Sequence, residues 1–209
     1  MSHGGYSVSS ISIYIAEDQG MLLGALSALL AMEEDINVVG KASNVKQAWQ
    51  GIKETMPDIV LTDIEMPEMT GIELAEAISD SDLDCKVMIL TTFARSGYLS
   101  RALDAGVRGY MLKDAPSEEL AASIRKVQKG RKVIDPELML SAWDNKDPLS
   151  DKERSVLRLA ESGLKTEEIA QKLFLSPGTV RNYLSNAASK LNANNRIEAA
   201  RIARQKGWL

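Results

Sequence analysis

Two hydrophobic rhythms alternate along this chain. Four short apolar runs, Ile11–Ala16, 59–62, 87–90 and Gly109–Leu112, are β-branched or rich in Leu and Met, as parallel strands buried on both faces are. A further strand is predicted around 37–41. Stretches of helical length and pattern separate them: 19–33, Val45–Thr55, Gly71–Ser79, a short one near 97–105, and 116–129, where Pro116 falls near the first turn and its missing N–H costs nothing. Five β/α units predict an α/β fold over residues 11–130, a five-stranded parallel sheet with helices on both faces.

Polar residues follow those runs in a telling order. Asp18, Asp63, Thr91 and Lys113 each stand at or just past the end of a predicted strand. The carboxyl ends of the strands of an open parallel sheet line one edge, where ligands bind, so residues far apart in the chain are expected to meet there. A nucleophilic Asp, carboxylates able to hold a cation, a hydroxyl and an ammonium make a phosphoryl-accepting site. The cation offsets the charge of both nucleophile and phosphoryl group. Mg2+ suits the task because it is held by one or two carboxylates and keeps other positions for water and substrate oxygens. Glu17, Asp18 and Asp63 can supply the carboxylates, and the backbone oxygen of Glu65 is a further candidate ligand.

The chain continues differently after residue 130. Residues 131–147 carry no clear period and end in a polar cluster, 144–147, so a linker is predicted, with a short helical turn around Pro136–Trp143. Residues 148–209 read as a small all-α domain of four helices. Ser150 and Glu153 form a capping-box signature. A short amphipathic helix follows from Thr166, and then another with Ser176 as N-cap and Pro177 at its first position. On that last helix Val180, Leu184, Ala187 and Leu191 fall on one stripe. The opposite face carries Gly178, Arg181, Asn182, Ser185, Asn186 and Ser189: small or hydrogen-bonding groups, one positive charge and no acid. Such a face suits the floor of a DNA major groove, where Asn pairs with adenine and Arg with guanine. Arg181 and Asn182 are the base-reading candidates and Thr179 and Lys190 the phosphate contacts, with Thr166 and Ser176 beside them.

Charge supports the division. Residues 1–146 hold 14 Lys/Arg against 22 Asp/Glu, and residues 147–209 hold 11 against 7, so an acidic half precedes a basic one within an overall charge of −4. No apolar run approaches the ~20 residues of a membrane span. Residues 1–10 are small and polar and read as a tail without a signal sequence. The single cysteine, Cys85, excludes an internal disulfide and reads as a small buried residue. The single histidine, His3, lies in the tail, which excludes Ser-His-Asp and Cys-His catalysis and a His-rich zinc site.

The segments around Glu17-Asp18, Leu61-Thr62-Asp63-Ile64-Glu65-Met66-Pro67, Leu90-Thr91-Thr92 and Tyr110-Met111-Leu112-Lys113 resemble the receiver domain of bacterial two-component response regulators, a CheY-like (flavodoxin-like) fold. Glu168-Ile169-Ala170, Ser176-Pro177-Gly178-Thr179-Val180-Arg181 and Lys190-Leu191 resemble the LuxR-type helix-turn-helix domain, with Tyr183 where many members carry His. Together they are similar to the NarL/FixJ class. The resemblance implies a cytoplasmic, non-enzymatic transcription factor, phosphorylated on Asp63 by a sensor histidine kinase. It also implies Mg2+ on Asp18, Asp63 and, through water, Glu17, with Thr91 and Tyr110 as switch residues. Promoter DNA, a second copy of the chain and RNA polymerase are the implied partners, and a membrane is not. Within the class, the wording around residues 15–27 is similar to regulators of a membrane-lipid desaturase. A hydrolase of the haloacid dehalogenase type would need a second Asp two positions past the nucleophile, where Glu65 stands, and gives the basic helical domain no role. A receiver used only for dimerisation would not need the full Asp/Thr/Lys set.

One helix carries more apolar surface than a core can use. In 19–33 the residues Leu22, Ala25, Leu26, Leu29 and Leu30 make a complete inward stripe, which leaves Met21, Leu23, Gly24 and Ala28 as a predicted surface for the kinase and for a dimer partner.

Overall fold

The strands form as the apolar runs predict, and the sheet grows by one. The computed structural model describes residues 10–92, 95–143 and 147–209. All of the expected tail but Ser10, with His3, and positions 144–146 of the expected linker lie outside the described residues. Two compact units result: the chain before Arg95 together with Leu99–Met139, and Leu140–Leu209 together with Arg95–Tyr98.

In the first unit β1 (Ile11–Ala16), α1 (Gly20–Leu30), β2 (Ile36–Ala42), α2 (Val45–Thr55), β3 (Ile59–Asp63), α3 (Gly71–Ser79), β4 (Lys86–Thr91), α4 (Ser96–Asp104), β5 (Gly109–Leu112) and α5 (Ser117–Gln128) alternate along the chain. Every strand pair is parallel, in the order β2-β1-β3-β4-β5 with a sixth strand on the outer edge of β5. The sixth strand, β6 (Val133–Ile134), lies where the sequence predicts only linker. Two residues are too short to show a period, and the strand exists because Val133 N bonds to Arg108 O and Asp135 N to Tyr110 O on the exposed edge of β5.

Side-chain alternation splits β1 between two layers. Ile11, Ile13 and Ile15 share a core with Leu26, Leu30, Leu120, Ile124 and Val127 of α1 and α5; each buried aliphatic of this kind contributes about 1.5–3 kcal/mol by leaving water. Tyr14 points the other way, its ring so close to Gly40 and Gly51 that neither position has room for a Cβ. Local signals fix the helix starts: Asn44 accepts from Gln47 N at the head of α2, and Thr70 and Glu73 form a capping box at the head of α3.

The inward face of α1 differs from the predicted stripe. Leu26 and Leu30 are buried and Leu22 and Leu23 pack partly against the core, whereas Ala25 is exposed and Leu29 is 43% exposed. Leu23 is therefore corrected from outward surface to core flank. The helix is apolar nearly all round, so its period could not set its phase. Met21 (91% exposed), Gly24 and Ala28 do face outward.

α6 (Pro136–Trp143) forms at the predicted turn as a full helix. Beyond it α7 (Asp151–Glu161), α8 (Thr166–Lys172), α9 (Pro177–Lys190) and α10 (Arg196–Gln205) surround a core of Val156, Leu157, Ile169, Val180, Leu184, Ala187, Ala199 and Ala203, closed by Trp208 and Leu209. Both predicted N-terminal caps are present. Ser150 and Glu153 make the reciprocal box on α7, and Ser176 accepts from Thr179 N on α9, with Pro177 in its first turn.

Candidate functional site

The strand registers bring the predicted residues to one edge. Ala16 of β1 lies opposite Thr62 of β3, Asp63 opposite Leu90 of β4, and Thr91 opposite Leu112 of β5. Glu17, Asp63, Thr91 and Lys113 thus end adjacent strands at the same height, at the point beside β1 and β3 where the strand order reverses. Glu17, Asp63 and Thr91 are buried although polar.

Lys113 is the hub. Its Nζ stands 2.8 Å from Glu17 Oε2 and 3.1 Å from Asp63 Oδ1, and its backbone N–H donates to Thr91 O at 2.8 Å. Asp63 Oδ1 also accepts from Ile64 N at 2.8 Å. Both of those contacts spare Asp63 Oδ2. Glu17 uses its other oxygen, Oε1, on Gln19 N at 3.1 Å, and its own N–H donates to Ala42 O. Glu17 is therefore held by protein groups at both carboxylate oxygens.

Burial pushes the Glu17 and Asp63 carboxyls above the usual range, and the Lys113 ammonium pulls both back down. Glu17, Asp18 and Asp63 each place a carboxylate oxygen within 4.8 Å of the others. Three carboxylates face one ammonium, so the site is short of positive charge. Asp18 Oδ1 is buried with no hydrogen-bond partner, an unmet acceptor of the kind a cation satisfies. The residues present therefore fit a hard divalent cation. Glu65 is exposed and its carboxylate lies outside this cluster; the expectation for it concerns its backbone oxygen alone.

Tyr110 on β5 is buried, in register with Ile89 on β4. Gly71 was not singled out by sequence reasoning. It opens α3 beneath Asp63: its N–H donates to Ile64 O, and a Cβ there would overlap the Asp63 carbonyl oxygen. Only the tertiary contact reveals this, since Gly at a helix start is unremarkable in sequence. Cys85 is half-buried, and burial, with the Asp84 carboxylate, pushes its thiol up to about 11, so it stays a protonated, inert sulfur.

In the second unit the stripe of α9 is buried as predicted, and Arg181, Asn182, Ser185, Asn186 and Ser189 are all exposed on the other face. Thr166 and Thr179 are half-exposed and Ser176 exposed. Lys190 has a second tie that the sequence did not announce: its Nζ bonds Glu153 Oε2 at 2.8 Å, joining the end of α9 to the start of α7. Its ammonium is partly committed before any phosphate approaches.

Residues 13–125 match the family described as response regulator receiver domain, and residues 147–203 the bacterial regulatory proteins of the luxR family. The chain belongs to the two-component response regulators that join a receiver to a LuxR-type helix-turn-helix domain, a class of DNA-binding transcription regulators. It is 52% identical over 198 residues to the transcriptional regulatory protein DesR of Bacillus subtilis, covering 95% of this chain and 98% of that one. The transcriptional regulatory protein YvfU of the same organism is 49% identical, with 95% and 100% covered. Among solved structures, the response regulator RcsB in complex with DNA matches with a TM-score of 0.66 and 27% identity, over 93% of this chain and 98% of that one. No helix among the described residues is long and apolar enough to cross a membrane.

Proposed function

We propose that this chain is a phosphorylation-switched promoter-binding protein acting in the cytoplasm, with Asp63 as the phosphoacceptor and a sensor histidine kinase as donor. The observation that carries this is the convergence of Lys113 on Asp63 and Glu17 beside the unpartnered Asp18 oxygen. Asp63 Oδ2 is the attacking oxygen. Its partner Oδ1 is pinned by Ile64 N and Lys113, which aims the carboxylate without consuming the nucleophile. The bond to phosphorus forms as the phosphohistidine P–N bond breaks, and the imidazole leaves with the electron pair. Asp18 and Asp63 would hold a Mg2+ ion, with Glu17 through water and the Glu65 backbone oxygen as further ligands, and the ion would supply positive charge to the phosphoryl oxygens. Lys113 then binds one phosphoryl oxygen as a point charge and Thr91 donates to another. Tyr110, buried on the neighbouring strand, responds to the movement of Thr91.

The added charge shifts a pre-existing equilibrium toward a dimer, which sets two α9 helices on paired half-sites, in reach of RNA polymerase. On this reading Arg181, Asn182, Ser185, Asn186 and Ser189 face the bases, with Thr166, Ser176, Thr179 and Lys190 toward the backbone. The similarity to desaturase regulators makes membrane-lipid genes the first targets to examine. Acetyl phosphate with Mg2+ should convert Asp63 to an acyl phosphate detectable by mass. An Asp63→Ala protein that takes up as much phosphate would overturn the assignment. Lys113→Ala should still accept some phosphate yet lose the phosphate-dependent gain in DNA affinity.

A further inference from the structure

We infer that Asn182 and Asn186 read two adenines in each half-site, one to two base steps apart, and so set the sequence preference of this chain. The inference rests on the reading of α9 as the helix that enters the major groove.

The argument begins with helix propensity. Across its 14 residues α9 exposes Gly178, Asn182, Ser185, Asn186 and Ser189 on its outer face, and all five are weak helix formers. Short polar side chains destabilise helix interiors because they compete for backbone hydrogen bonds. The exposed positions of neighbouring helices are filled otherwise, with Lys152, Arg158 and Glu161 on α7 and Arg201, Arg204 and Gln205 on α10. A solvated face under no other demand would use such long helix formers. Its departure from that rule on one face of one helix marks a functional constraint.

The asparagines of this unit sharpen the point. Asn195 caps α10, Asn194 bonds Glu198, and Asn192 takes the left-handed turn after α9 at φ 50. Each of these has a local structural task. Asn182 and Asn186 have none: among the described residues their side chains make no hydrogen bond, and both are exposed in mid-helix. Each keeps its amide donor and carbonyl acceptor available together. That pair matches adenine N7 and N6–H2 bidentately, and no other base edge in the major groove offers an adjacent acceptor and donor in that order.

Spacing completes the inference. Residues four apart on a helix lie on one face about 6 Å apart along its axis. Stacked bases are about 3.4 Å apart, so a helix lying along the groove carries the two amides to base pairs one or two steps apart. Arg181, in the adjoining row with Ser185, stands beside them with the reach for a flanking guanine.

The test is selection from a random duplex pool by the full-length protein, treated with acetyl phosphate and Mg2+, followed by the same selection with Asn182→Ala and Asn186→Ala. The wild type should enrich half-sites holding two such adenines. Each variant should lose ~10-fold of preference at one adenine only, keep its affinity for random duplex, and melt at the same temperature as wild type or higher, because Ala is the better helix former. Variant sequence preferences identical to wild type would overturn the inference, as would a lowered melting temperature with equal losses on specific and random duplex. A wild type that enriches no sequence would instead overturn the reading of α9 itself, and the inference with it.

Discussion

At the scale of single residues, the carboxylate cluster at the sheet edge is an unfinished electrostatic arrangement. Glu17 and Asp63 are buried with raised carboxyl pKa values, and Lys113 offsets only part of the charge. Binding of a divalent cation should therefore stabilise the fold by mass action, by about 1.4 kcal/mol at ten times its dissociation constant. In Asp18→Asn the melting shift between EDTA and Mg2+ should nearly vanish; an undiminished shift would place the cation elsewhere. Gly71 gives a second prediction. A methyl at this position collides with backbone rather than with a yielding side chain, so Gly71→Ala should cost about 1–3 kcal/mol in a urea titration and slow acetyl-phosphate labelling of Asp63. Asp18, Asp63, Thr91 and Lys113 were legible because strand-end polar residues keep their meaning in any parallel sheet. Gly71 was not, because what excludes a side chain there is a carbonyl brought in by the fold.

At the scale of elements, sequence and structure agree where a local signal exists and part where the partner decides. The caps Ser150 and Ser176 and the buried stripe of α9 declare themselves within a few residues. β6 is decided by the open edge of β5, and the phase of α1 by the sheet beneath it. The tie between α7 and α9 is likewise tertiary, and it makes a pH prediction. Burial pushes the Glu153 carboxyl up, but bonds from Lys190 and Ser150 outweigh it and hold the group below its usual range. A depressed folded value means the stabilisation is complete above the ordinary glutamate value of 4.5 and disappears as pH falls through the folded one. Glu153→Gln should thus lower protection of α7 and α9 amides by about 1–2 kcal/mol at neutral pH, read by hydrogen exchange. As pH falls through that lowered value the difference from wild type should close. A gap that stays constant with pH would mean the loss comes from packing instead of charge.

At the scale of the whole molecule, the question is what the outer face of α1 meets. Met21, Gly24, Ala25, Ala28 and Leu29 leave it apolar and low in relief, and a cleft of about 100 Å³ between α1 and the start of α5 is lined by Leu22, Ala25, Leu29, Lys113, Ser117 and Leu120. Lys113 thus lines this cleft as well as bonding Glu17 and Asp63, so the dimer proposed for phosphorylated Asp63 is tested first on this face. Gly24 has nothing within 4 Å of a Cβ in one copy of the chain. Gly24→Ala should accordingly stabilise the monomer by about 0.5–1 kcal/mol through helix propensity and yet weaken a dimer that needs two helices to approach closely there. Met21→Glu and Ala28→Glu should abolish the dimer while Asp63 still labels with acetyl phosphate, since neither position touches the carboxylate cluster. Sedimentation with and without phosphodonor reads all three variants. A phosphorylation-dependent dimer that persists in both glutamate variants would move the interface off α1, and one equally strong in Gly24→Ala would show that the helices do not meet at that position.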